Sequence, residues 1–114
     1  MHYHLQPGGV TGVIRSQAQS LMPDNSCMVL SGAPVPNQWQ DIAVHIPEIG
    51  YDNGQTAGIS SKESVLAIKK AIYSRWPEGC DLLHIHNPLL AKNKNLLEII
   101  DLIKQEEIPL LLQI

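Results

Sequence analysis

The chain contains no phenylalanine, and aromatic residues make up only 4% of it. Its core must therefore be aliphatic, which suits a parallel sheet covered by helices. Cysteine is scarce. Cys27 and Cys80 stand far apart and fit neither a disulfide framework nor a CxxC metal or redox motif. Each borders a short apolar run, so both read as buried free thiols in a reducing compartment. Charged residues are 17% of the chain, the net charge is -3, and Lys and Arg are scattered. That balance gives no reason to expect nucleic acid or an anionic membrane as a partner. No apolar run is long enough to span a bilayer, and the N-terminus lacks the basic-then-apolar pattern of a signal peptide. The cytoplasm is the expected location.

What is present is the size and composition of one globular domain: 114 residues, 44% hydrophobic. Residues 1–5, "MHYHL", read as a strand, and "QPGG" as the turn after it. From Val10 the spacing becomes helical, with Val10, Val13, Ile14, Ala18 and Leu21 three or four apart. "CMVL" (27–30) and "DIAVHI" (41–46) read as strands, the second closed by Pro47. "GYDNGQTAG" is a long Gly-rich loop, expected to be mobile and a candidate lip over a crevice.

Ser60–Trp76 gives the clearest helical pattern, with Val65, Ile68, Ile72 and Trp76 as its stripe. Ser60 and Glu63 have capping-box spacing, and Pro77 and Gly79 stop the helix. "DLLHIH" (81–86) is the next strand. A helix over 95–107 carries Leu96, Ile99, Ile100 and Ile103, with Asn95 and Glu98 again at capping-box spacing, and "IPLLLQI" is the last strand. The order β-α-β-β-α-β-α-β predicts an α/β, Rossmann-like, mostly parallel sheet of order 3-2-1-4-5 flanked by helices. The connection between the second and third strands has no helical stripe and is the weakest part of that topology.

In such a sheet the first and fourth strands are neighbours, and ligands bind outside their carboxyl ends, where the order reverses. "QPGGV" and "HIHNP" should then face one crevice. Gly8 and Gly9 either make a tight strand-to-helix turn or let a ligand approach the peptide N–H groups at a helix N-terminus. The glycines at 8, 9 and 12 do not make a GxGxxG fingerprint.

His84 and His86 point to one face of their strand. A metal would need another ligand, which His2 or His4 could supply, but no Cys or carboxylate stands at ligand spacing. A strand histidine bonded to a backbone carbonyl is the commoner arrangement, so no metal is expected. His84 reads as structural. His86 and Asn87 lie at the strand's open end, where hydrogen bonding to a polar ligand is their economical use, although Asn87-Pro88 is also a plain turn signal. His45 reads as structural. Arg15 is solvated or reaches an anion.

The strand ending "PGGV" with the helix "VIRSQAQSL", the segment "DLLHIHN", and "NLLEIIDLIKQEEIPLLLQI" together resemble the N-terminal domain of the family 4 glycosyltransferases, which have the GT-B fold. The resemblance covers nearly the whole chain in order. It implies the acceptor-side half of a retaining enzyme that moves a sugar from a nucleotide-sugar donor to a hydroxyl acceptor. Gly8, Gly9 and Val10 would approach the donor's phosphates, and His86 and Asn87 would line the acceptor side. The family's His-Asp pair after the fifth strand, its basic residues and its donor-binding Glu are not among these residues. The chain is therefore expected to be a fragment that is inactive without a C-terminal domain, with no catalytic residue and no cofactor of its own. The alternative is a free-standing Rossmann-like module that binds a small anionic ligand at Gly8-Gly9. A third reading, a metal-dependent hydrolase using the histidines, is weaker.

Overall fold

A computed structural model describes all 114 residues. In chain order the elements are α1 (Gly9–Leu21), β1 (Val29–Ser31), β2 (Ala43–His45), α2 (Ser61–Arg75), β3 (Leu83–His86), α3 (Leu96–Gln105) and β4 (Leu110–Gln113), with short 3-10 turns at Asn37–Trp39, Pro47–Ile49 and Pro88–Leu90. The fold is α/β, with three helices and two small parallel sheets, β1-β2 and β3-β4. No helix is long and apolar enough to cross a membrane.

The five-stranded sheet expected from the element order is not formed as one ladder. Residues 1–5 make a single parallel bridge, His2 to Ser31, rather than a strand. Main-chain bonds nonetheless tie this segment to both sheets. His2 N–H donates to Leu30 O (3.0 Å) and Gly32 N–H to His2 O (3.1 Å). On the other side His86 N–H donates to Met1 O (3.0 Å), and the Met1 amine donates to His84 O (2.6 Å). The segment therefore lies between β1 and β3. The strands are also shorter than the apolar runs that predict them.

The larger core cluster joins Met1, Tyr3 and Leu30 to Val65, Ile68 and Ile72 of α2, Leu83 and Ile85 of β3, and Ile99, Ile100 and Ile103 of α3. It is aliphatic, as the missing phenylalanine requires. A smaller cluster, Leu5, Ile14, Val29 and Trp39, packs under α1. The predicted α1 stripe is only partly buried: Thr11, Ile14 and Ala18 are inside, while Val13 and Leu21 are 40% and 50% exposed. One helix on this face leaves much of it open.

α2 starts as its sequence predicts. Ser60 is extended and its hydroxyl oxygen accepts from Glu63 N–H (3.1 Å). Ser60→Ala should lower stability by about 1 kcal/mol through loss of this cap; equilibrium urea unfolding measures it, and an unchanged midpoint would show the cap contributes nothing. α3 departs from its predicted box. Asn95 makes no side-chain cap; its amide donates instead to Ile59 O (2.8 Å). The Glu98 carboxylate accepts from the Ser61 hydroxyl of α2 (2.9 Å). Contacts between helices take the groups that local spacing assigned to capping.

The loop expected to be mobile is stitched together. Asn53 Oδ1 accepts from Gln55 N–H (2.8 Å) and Thr56 N–H (3.1 Å), and Thr56 Oγ1 accepts from Asn53 N–H (2.9 Å). Asp52 ties it to the 92–94 segment, donating its N–H to Lys92 O (2.8 Å) and accepting Lys94 N–H on its carboxylate (2.8 Å). Both cysteines are free and half-buried rather than fully buried. Burial raises the Cys80 thiol above its ordinary pKa.

Candidate functional site

The alternation Leu83-His84-Ile85-His86 decides which groups share a face. Leu83 and Ile85 enter the core beneath α2 and α3. His84 and His86 take the opposite face, beside α1, and their rings stack with centroids 4.2 Å apart and planes 21° from parallel. The same-face reading of the two histidines holds, but their burial is the reverse of that expected. His86 is not at an open end: it is 5% exposed. His84 is the more accessible of the two, although its Nε2 atom is buried and has no hydrogen-bond partner. The histidine-to-carbonyl bond expected of a strand histidine is made by His2, whose Nδ1 lies 3.2 Å from His86 O.

Two further rings extend this group. His2 lies 6.4 Å from His86 and 5.4 Å from His4, centroid to centroid. His4 meets the exposed Tyr51 edge-on at 5.6 Å, and Lys92 Nζ stands 5.8 Å over the Tyr51 ring. Sequence reasoning passed over Tyr51 and Lys92, because each sits in a polar loop with no periodic signal. No group of three or more His, Cys, Asp or Glu side chains is placed to hold a metal ion.

The imidazoles are kept neutral. Burial lowers His86 from 6.5 to about 4, helped by the nearby His84, the Met1 amine and His2. Burial also lowers His84 and His2, the latter opposed by its bond to the His86 carbonyl. The buried Met1 amine falls from 8.0 to about 5. Unfolded, these groups take up protons at pH values where the folded protein leaves them neutral. Stability contributed by the imidazoles is thus intact above about pH 6.5 and declines as pH falls towards 4, while the amine adds a decline of the same sign between 8 and 5. Discounted for solvent screening, the share of His86 is about 2 kcal/mol between neutral pH and pH 4. Urea midpoints at a series of pH values check this, and a flat profile would show that the rings are fully solvated.

Gly8, Gly9 and Val10 lie at the start of α1. Gly8 is extended and both glycines are exposed, and a Cβ on Gly9 would meet nothing within 4 Å. The fold itself does not require glycine at Gly9. Asn87 adopts the left-handed conformation (φ 49°, ψ 52°), which Asn tolerates better than most residues. Its N–H donates to Gln113 O (2.7 Å), which continues the β3-β4 ladder. The residues that touch the end of β3 come from Met1 and His2, and no hydrogen bond joins Gly8, Gly9 or Val10 to His86 or Asn87. Arg15 is half-buried, and its guanidinium stacks 4.6 Å over the Trp39 ring. His45 is exposed on β2 and makes no side-chain hydrogen bond.

No protein family, curated protein or solved structure matches the chain.

Proposed function

We propose that the chain is the acceptor-side, Rossmann-like half of a retaining GT-B glycosyltransferase, which moves a sugar from a nucleotide-sugar donor to a hydroxyl acceptor only when joined to a donor-binding domain. The observation that carries this reading is the seat of residues 1–3 between β1 and β3, held by main-chain bonds on both sides. Read as a short central strand, that segment supports the order 3-2-1-4-5, with β2 and β4 at the edges. The carboxyl end of the segment then leads through "QPGG" to the N-terminus of α1, where unpaired N–H groups and the helix dipole favour a phosphate. Gly9, exposed and with open space at its Cβ position, leaves that backbone accessible.

The chemistry explains why half of such a cleft is inactive. A departing nucleotide diphosphate needs fixed positive charge or N–H donors, and donor and acceptor must be held together away from water. Apart from Arg15, which is stacked on Trp39, α1 carries no basic side chain. In the complete enzyme, Gly9→Val should leave folding intact and raise the KM for the nucleotide-sugar. An unchanged KM would remove the glycines from the donor site. The second reading, a free-standing module for a small anion at Gly8-Gly9, is favoured by the same accessible backbone. Calorimetric titration of the isolated chain with inorganic phosphate and with a nucleoside diphosphate separates the two: saturable binding near Gly8-Gly9 supports the module, and none supports the half-cleft.

A further inference from the structure

A groove of about 490 Å³ opens on the α1 side of the molecule. It lies away from Gly8 and Gly9, since α1 contributes its later turns, Ile14, Gln17, Ala18 and Leu21, and the polypeptide before β1 and before β3 supplies most of the rest. Its volume falls within the range of roughly 300–1,000 Å³ typical of sites for small organic ligands. The walls are mainly apolar, with Ile14 and Leu21 on one side and Trp76 and Leu82 on another, while the stacked rings of His84 and His86 also face it.

Three features define the occupant. First, Asp81 is the only charged side chain among the 20 lining residues, and no Lys or Arg is present, so nothing in the lining neutralises an anion. Second, one imidazole of the lining is short of partners. His86 is 5% exposed and its ring takes part in no hydrogen bond. A buried polar nitrogen left unpaired is unfavourable, and a donor brought in by a ligand would relieve it. Third, the lining includes the Trp76 indole as well as the two imidazoles, and aromatic walls pack against a planar molecule better than against a branched one.

We propose that this groove is a binding site for an uncharged, largely apolar planar molecule bearing one hydroxyl or N–H donor, which docks against His84 and His86. The site shares His86 with the acceptor side that the transferase reading implies, but uses none of Gly8, Gly9, Val10 or Asn87. Neutral imidazoles act as acceptors here, in keeping with the low pKa that burial gives both rings.

The test uses 2-naphthol as the probe, naphthalene as its donor-free counterpart and 2-naphthoate as its anionic one. Amide chemical shifts of the labelled 114-residue chain follow each titration. The proposal predicts saturable shifts at His84, His86, Ile14 and Leu82 with 2-naphthol. It also predicts about fivefold weaker binding of naphthalene, the worth of one hydrogen bond, and still weaker binding of naphthoate. Leu82→Asp changes a residue that is 53% exposed and so should not unfold the chain; it should abolish the shifts at His84 and His86. His86→Phe, which keeps an aromatic ring, should equalise 2-naphthol and naphthalene. Four results would overturn the site: no saturable shift, shifts confined to other surfaces, equal affinity for all three probes, or concentration-dependent broadening of the groove resonances without probe, which would mean a second copy of the chain fills it.

Discussion

Replacing Gly32 by alanine should lower the stability of this protein by about 3 kcal/mol, the upper range for forcing extra volume into a closed contact. Gly32 follows β1, and Gly50 follows the 3-10 turn after β2. Their backbones cross so closely that a Cβ on Gly32 would overlap Gly50 Cα and N and come within 2.7 Å of Ile49 C. A Cβ on Gly50 would run into Gly32 O. Neither obstacle is a flexible side-chain tip, so one of the two backbones would have to move. Gly32 N–H also donates to His2 O, and a shift there would pull on the segment that joins the two sheets. Gly12→Ala is the matching control. It lies inside α1 with open space at the Cβ position, and should raise stability by about 0.5–1 kcal/mol. Urea unfolding of the two variants beside the parent decides the matter. Equal, small effects of both would mean that the Gly32–Gly50 crossing is looser than described.

Asn93→Ala should cost about 3 kcal/mol, for a different reason. Asn93 is 5% exposed, and all of its side-chain bonds are to main chain. Its amide donates to Glu48 O (2.9 Å) and Gly50 O (2.7 Å), and its carbonyl oxygen accepts Asn95 N–H (3.0 Å). Alanine would leave two carbonyls and one N–H without these partners, and a buried polar group left unpaired carries its full desolvation penalty. Asn93→Asp keeps the shape and the acceptor but removes both donors and adds a buried charge, so it should be at least as damaging. Since Asn93 holds Gly50 and Gly50 abuts Gly32, the double variant Gly32→Ala/Asn93→Ala should lose less than the sum of the two single losses. Strict additivity would show that the two contacts are not mechanically linked.

Neither residue was legible in the sequence, and the reason is the same for both. Gly32 and Gly50 stand 18 positions apart (50 − 32), so their meeting depends on how β1 and β2 pair. Asn93 sits in "AKNKN", which reads as a polar linker. What local chemistry controls was legible. The stripe and cap of α2 follow from the spacing of Ser60, Val65, Ile68 and Ile72, and the alternation in β3 places both histidines on one face. Which face is covered depends on packing. One helix lies on the histidine side and two on the other, so His86 is buried in a groove wall and is not presented at the strand's mouth. The Asn95–Glu98 spacing was locally plausible too, but Ile59 and Ser61 offered better partners from across the fold.

Near the candidate site, the sequence pointed to Gly8, Gly9 and Val10, which lie at the start of α1, and to His86 and Asn87, which lie at the end of β3. It did not point to the groove, because the groove's lining comes from segments between residues 1 and 86 with no common motif. Its only signal was the pair of histidines in an apolar run.

The central claim is that these residues form one wall of a transferase cleft. Its most direct test is an assay for transfer of radiolabelled sugar from nucleotide-sugar donors, run on the 114-residue chain alone and on the chain joined to a donor-binding domain. The expected result is no transfer by the chain alone and transfer by the joined protein. Transfer by the 114 residues alone, or none by either protein across the common nucleotide-sugars, would contradict it.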